Sequence, residues 1–277
     1  MDLKEYTRKT TDFGNGMLEV VAYNQVQTRL TGASHLGGAT DKSEISDEAQ
    51  EARTKKQTYA IKRKIRGYAL SNPFEWFVTL TIDPEKSNSL DYETAKTLLL
   101  KWCRWMRDKY KKFDYLVIPE LHKSGAVHFH GLLGDVPANF VEATNPKTGQ
   151  AIIRSERQVY NLSDWKHGFS DCEKIISRER TASYMTKYIT KELMTDKSMF
   201  RKKRYFNSIG LKKPEVSLDL VDNDDLTNFI PNFGVIGTDG LGNNHLAKGI
   251  YNLTVDKETG TINQTSDTYL LVAKKVD

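Results

Sequence analysis

The chain alternates between segments with a two-residue and a helical hydrophobic period. Met17 to Leu30 mixes β-branched and polar residues and predicts a strand or hairpin arm. Ser46 to Leu70 carries charges at helical spacing and predicts a basic helix, which Asn72-Pro73 ends. The run Phe-Val-Thr-Leu-Thr-Ile from Phe77 to Ile82 predicts a strand, closed by Asp83-Pro84. In Tyr92 to Tyr110, Ala95, Leu98, Leu99, Trp102, Trp105 and Met106 recur at three- and four-residue steps, so this segment predicts an amphipathic helix. Asp114 to Gly134 reads as a β-hairpin turning at Lys123-Ser124-Gly125. Ala138 to Trp165 reads as an irregular insertion, Phe169 to Ile176 as a strand, and Ser177 to Met194 as one helix. Leu36 to Ser46 reads as a loop, and strands are expected near Ile250 to Val255 and Thr268 to Ala273. The element order implies an α+β fold, an antiparallel β-sheet with flanking helices compatible with a ferredoxin-like core. The division expected is an N-terminal extension over residues 1–70 with its basic helix, a central domain over 71–214, and a C-terminal extension over 215–277 that can pack on the same domain.

Two constellations carry candidate chemistry. On the second hairpin strand, His128 and His130 point to one face and Phe129 to the other. Glu120 lies on the partner strand, just before the turn, where it comes beside the histidine pair. Two imidazoles and one carboxylate with open positions suit a catalytic divalent ion, Mg²⁺ or Mn²⁺, better than a closed structural site. His122 shares the strand parity of Glu120 and is a rival ligand nearer the turn; His35, His167 and His245 are isolated. The second constellation is a doubled Tyr-x-x-Lys. On a helix, Tyr184, Lys187, Tyr188 and Lys191 fall within roughly a 100° arc. A phenol with a pKa near 10 is a poor nucleophile. A neighbouring lysine favours the phenolate and offsets phosphate charge. Met185 and Ile189, on another face, can supply core contacts, which leaves the Tyr/Lys face available.

Composition adds the partner. The 277-residue chain has a formal net charge of +5. Arg53 to Arg66 holds seven basic residues and no acidic one, and Lys197 to Lys213 holds another seven and no acidic one. Lys62, Arg63, Lys64 and Arg66, with Arg201, Lys202, Lys203 and Arg204, are therefore candidate phosphate contacts. No apolar run is long enough to span a bilayer, and Met1 to Thr10 has no signal-peptide core, so a cytoplasmic protein without a membrane partner is expected. Cys103 and Cys172 read as free thiols. No phosphate loop is present, since Gly37 to Ser43 lacks the second glycine, so unwinding would fall to a separate helicase.

Together these residues resemble the HUH endonucleases, and among them the rolling-circle replication initiators of small single-stranded DNA phages and related plasmids. Phe77 to Ile82 is similar to the family's first motif, His128-Phe-His130 to its metal motif with Glu120 at the acidic third ligand, and Tyr184 to Lys191 to the two-tyrosine catalytic motif. Asp164-Trp-Lys-His-Gly-Phe169 and Arg204 to Pro214 are lesser similarities; the likeness spans roughly Glu75 to Pro214. It implies a metal-dependent endonuclease and ligase acting on a single-stranded origin in a host cytoplasm. A tyrosine would become linked to the DNA 5′ phosphate and free a 3′ hydroxyl for a host polymerase, with a host helicase opening the duplex. Transposases and relaxases of the same chemistry, and a non-catalytic nucleic-acid binder stacking bases on a sheet aromatic such as Phe129, are the alternatives.

Overall fold

The computed structural model describes residues 2–31, 46–196, 202–264 and 274–275. The expected loop from Leu36 to Ser46, apart from Ser46 itself, and the expected strand Thr268 to Ala273 lie outside these. In chain order the elements are β1 (Asp2–Asp12), β2 (Met17–Thr31), α1 (Asp47–Ser71), β3 (Phe74–Thr81), α2 (Tyr92–Tyr110), β4 (Tyr115–Leu121) and β5 (Val127–Gly134). Short strands β6 (Phe140–Glu142), β7 (Ile153–Arg154), β8 (Arg157–Gln158) and β9 (Tyr160–Leu162) follow. Then come β10 (Ser170–Lys174), α3 (Arg178–Met185), a 3-10 turn at Thr186–Tyr188, and α4 (Lys191–Thr195). The remaining strands are β11 (Phe206–Asn207), β12 (Glu215–Asp219), β13 (Phe233–Thr238), β14 (Asn244–Val255), β15 (Ile262–Gln264) and β16 (Lys274–Lys275).

The chain divides into two compact units, Ile45–Lys212 and Met1–Glu44 with Lys213–Asp277. This departs from the expected division. Helix α1 belongs with the central unit, and the two chain ends build one sheet together. β1 pairs with β12 and β2 with β14, so each end supplies hydrogen-bond partners that the other lacks. Val20, Ala22, Tyr251, Leu253 and Leu226 close its core. The polar run from Asp2 to Asp12 gave no strand signal because its side chains are mostly exposed or half-buried.

The central unit holds an antiparallel sheet in the order β11-β4-β5-β3-β10-β9-β6. β3 and β4 flank β5 and are joined through α2, a split βαβ unit, and β4-β5-β3-β10 is the strand order of a ferredoxin-like core. The α+β fold with its antiparallel sheet is the one the element order implies. Along β3, Phe74, Trp76, Val78 and Leu80 are buried while Phe77, Thr79 and Thr81 are half-buried on the opposite face. The buried face continues through Phe129 and Leu133 of β5 and Tyr115 and Val117 of β4. Helix α2 covers it, with Cys103 hydrogen-bonded to Tyr115 and Trp102 packed edge-on against Trp165. Asp91 caps α2 by accepting from the Thr94 N–H at 2.8 Å. Helix α3 covers part of the other face, so the two helices sit on opposite sides of the sheet rather than sharing one.

Two further elements differ from expectation. The insertion is not irregular: β6 and β9 extend the sheet, and β7 with β8 forms a separate hairpin. The helix expected from Ser177 to Met194 breaks. The Thr186 hydroxyl bonds back to the Ser183 carbonyl at 2.7 Å, the chain tightens into the 3-10 turn, and Ile189 leaves helical geometry at ψ 78°. The Thr190 hydroxyl then caps α4 by accepting from the Leu193 N–H at 3.1 Å.

Candidate active site

The sheet register sets the site. On the face away from α2, His128 of β5 lies between Glu120 of β4 and Thr81 of β3, and His130 lies between Ile118 and Thr79. The Glu120 Oε2 and His130 Nε2 atoms are 2.7 Å apart. A carboxylate can only accept, so a neutral His130 carries its proton on Nε2 and its Nδ1 accepts from the Thr79 hydroxyl at 3.1 Å. The Thr81 hydroxyl lies 3.4 Å from His128 Nδ1. Burial lowers both imidazole pKa values below the ordinary histidine value. His122 adds to that effect at His128, while Glu120 pulls the other way at both rings. Both rings are therefore neutral at neutral pH, the form that ligates metal. Histidine pattern alone did not reveal Thr79 and Thr81; the strand pairing does.

The donors Glu120, His128 and His130 fit a divalent ion in chemistry and in register, with threonine hydroxyls behind the imidazoles. They are not spread around a gap, however. Glu120 and His130 bond each other, and among the described residues no group of three histidine, cysteine or acidic side chains surrounds a common point. The rival His122 stands beside His128, ring centres 5.2 Å apart, and bonds Ser124.

The broken helix delivers both tyrosines to this cluster. The Tyr188 ring stacks on His130 with centres 3.6 Å apart and planes at 8°. Tyr184 meets Tyr188 edge-on at 5.4 Å and Phe77 at 5.4 Å. Met185 and Ile189 point inward and are fully buried, as their helical offset implied. Tyr188 is 9% exposed and Tyr184 43%. Burial, with the Tyr184 hydroxyl and then the Glu120 charge, pushes the Tyr188 phenol well above its ordinary pKa. Tyr184 is the open phenol of the pair, and the Lys187 ammonium sits 4.8 Å from the centre of its ring rather than at its hydroxyl. The Lys191 side chain lies outside what the structure describes.

A groove of about 830 Å³ opens beside the tyrosines, floored by Phe77, Thr79 and His130. The β7–β8 hairpin walls it. Arg154 bonds Asp171 at 2.7 Å and Glu173 at 2.9 Å, and Arg157 reaches Glu173 at 3.1 Å. The segment Asp164 to Phe169 anchors the site from behind. The Trp165 indole donates to the Thr81 carbonyl at 3.0 Å, the Phe169 carbonyl accepts from the Thr81 N–H at 2.8 Å, and the His167 carbonyl accepts from the Asp83 N–H at 2.9 Å. Thr81 is thereby held on the face where His128 needs it.

The basic candidates divide. Lys62 faces a concavity shared with Lys187, and Arg63 is exposed on α1. Lys64 is tied to Tyr205, and Arg66 is half-buried. Lys202 pairs with Glu93 at 3.4 Å, and Arg204 donates to the Lys202 carbonyl at 3.0 Å, so both serve the fold. Lys203 is exposed, and Arg201 lies outside the described residues. Phe129 is fully buried, so it offers no ring for base stacking. Both cysteines are buried free thiols, and among the described residues no helix is long and apolar enough to cross a membrane.

No curated protein and no solved structure matches the chain. Residues 75–193, the stretch that holds both histidines, Glu120 and both tyrosines, match the family model of the replication-associated protein ORF2. In that stretch the chain is similar to replication-associated proteins.

Proposed function

We propose that the chain initiates rolling-circle replication by nicking and rejoining single-stranded origin DNA through a 5′-phosphotyrosine, with Tyr184 and Tyr188 as nucleophiles. The observation that carries this reading is the Tyr188 ring stacked on His130 beside Glu120. It brings phenols to a metal-type donor set at the edge of an open groove, and a noncatalytic sheet would gain nothing from it. The match to replication-associated proteins supports the biological setting.

Glu120, His128 and His130 would hold Mg²⁺ or Mn²⁺, and Glu120 and His130 would give up the proton they share as they do so. Bound there, the ion supplies Lewis-acid polarisation of the scissile phosphate. Thr79 and Thr81 keep both imidazole Nδ1 atoms occupied and so leave Nε2 for ligation. A deprotonated tyrosine then forms an O–P bond while the P–O3′ bond breaks, and the departing 3′ oxygen takes a proton. The reverse attack by a 3′ hydroxyl restores the phosphodiester without an external energy source. The partly exposed Tyr184 reaches the groove directly. Tyr188 needs its phenol unstacked or its charge offset first, and two phenols allow a second cut while the first end is held. Origin DNA is thus the expected partner, with a host helicase and polymerase.

The test is cleavage of labelled origin oligonucleotides with and without chelator. Wild type should cut only with Mg²⁺ or Mn²⁺, and His128→Ala with His130→Ala should abolish cutting while leaving DNA binding mostly intact. Full cutting by the double variant in chelator removes the metal from the account.

A further inference from the structure

We propose that the outer face of α1 is a second contact for the same single strand, in which Tyr59 stacks a base and Lys55, Lys62 and Arg63 hold the neighbouring phosphates. The occupant rests on the nicking reading; the surface is read from the fold. Tyr59 is 63% exposed on a helix whose first half buries little, so its ring has no packing role that would explain it. Lys55, Tyr59 and Arg63 follow one another at four-residue steps, with Lys62 three residues after Tyr59, so the cations bracket the ring along one stripe. The stripe spans roughly 12 Å of helix axis. No acidic residue interrupts the chain from Arg53 to Arg66.

Tyr59 also lines two concavities at once. One, of about 640 Å³, joins it to Lys55, Lys62, Lys187 and Ile189. The other, of about 500 Å³, joins it to Lys56 and Arg63. Lys187 lies between the two tyrosines in sequence, and α1 runs beside α3 and α4. The basic stripe is therefore continuous with the tyrosine turn, on the path a strand would follow on leaving it. An unpaired base presents an open ring face, whereas a duplex hides its rings in the stack. An exposed aromatic set among cations accordingly selects single strands.

The full-length chain is compared as wild type, Tyr59→Ala, Tyr59→Phe and Tyr59→Trp, in chelator so that cleavage plays no part. The probes are oligothymidylates, some short enough to fill only the tyrosine groove and some long enough to reach α1. Tyr59→Ala should weaken the long probes on the order of tenfold and leave the short ones unchanged, while Tyr59→Phe keeps wild-type affinity. Tryptophan emission from Tyr59→Trp should quench on adding the long probe, and changing Lys55, Lys62 and Arg63 to Gln should flatten the salt dependence. Equal losses for long and short probes, an unquenched Tyr59→Trp, or the same loss for duplex of equal length would overturn the proposal. Since binding is read without cutting, a chain that never nicks DNA can still pass this test, and a nicking enzyme can fail it.

Discussion

At the residue scale, the site is governed by hydrogen bonds to side chains outside the sequence motifs. Thr79 and Thr81 touch His130 and His128 at Nδ1. Replacing Thr79 by Val keeps the shape and the strand propensity but leaves His130 Nδ1 without its hydroxyl. Mn²⁺ affinity, read by titration calorimetry, should fall about 10- to 100-fold while thermal stability changes little. Unchanged affinity would show that the ring orientation comes from stacking on Tyr188 alone. Strand alternation made His128, His130 and Glu120 legible, because side chains two apart share a face whatever the rest of the protein does. The threonines were not legible, because facing them to the histidines depends on the β3–β5 register, which is set by the chain between them and the core side chains.

At the element scale, the segment Asp164 to Phe169 fixes the end of β3. A Cβ on Gly168 would lie 2.2 Å from the Thr81 carbonyl oxygen and 2.5 Å from the Asp83 nitrogen. Both are backbone atoms of the strand end, so Gly168→Ala must push that strand off. A loss of about 1–3 kcal/mol or more in unfolding free energy is expected, with reduced metal binding, and urea denaturation checks it. Asp164 works from the same segment. Burial alone would raise its carboxyl pKa, but the Asn139 N–H, Lys109 at 2.8 Å and Tyr110 at 2.6 Å outweigh it and hold the pKa below the usual value. The folded chain therefore binds fewer protons here than the unfolded chain. This stability is fully present above the unfolded carboxylate pKa near 4 and is lost as pH falls through the lower folded value. Asp164→Asn should flatten that acid limb of the melting-temperature profile; an unchanged limb would assign acid sensitivity elsewhere. Helices α1 and α2 and the β4–β5 hairpin were legible because each carries its own caps, period and turn: Ser46 and Asp91 as caps, and Gly125 at φ +84°. The break at Thr186 to Ile189 was not, since a Tyr/Lys period of four continues through it and only the competing threonine hydroxyls mark it.

At the scale of the whole molecule, the chain ends form one sheet unit and the chain between them forms the unit that carries the site. Pairing between β1–β2 and β12–β14 joins residues far apart in sequence, and no local pattern encodes such a contact. The candidate chemistry, by contrast, lies between Glu120 and Tyr188 of one unit, which is why its outline is legible in the sequence. The central claim is that Tyr184 and Tyr188 both attack DNA. It is tested most directly by counting covalent protein–oligonucleotide adducts on a labelled origin strand, with Tyr184→Phe, Tyr188→Phe and the double change compared to wild type in Mn²⁺. Each single variant should still form adduct but fail to complete nicking and rejoining, and the double variant should form none. A covalent adduct on the double variant would contradict the account.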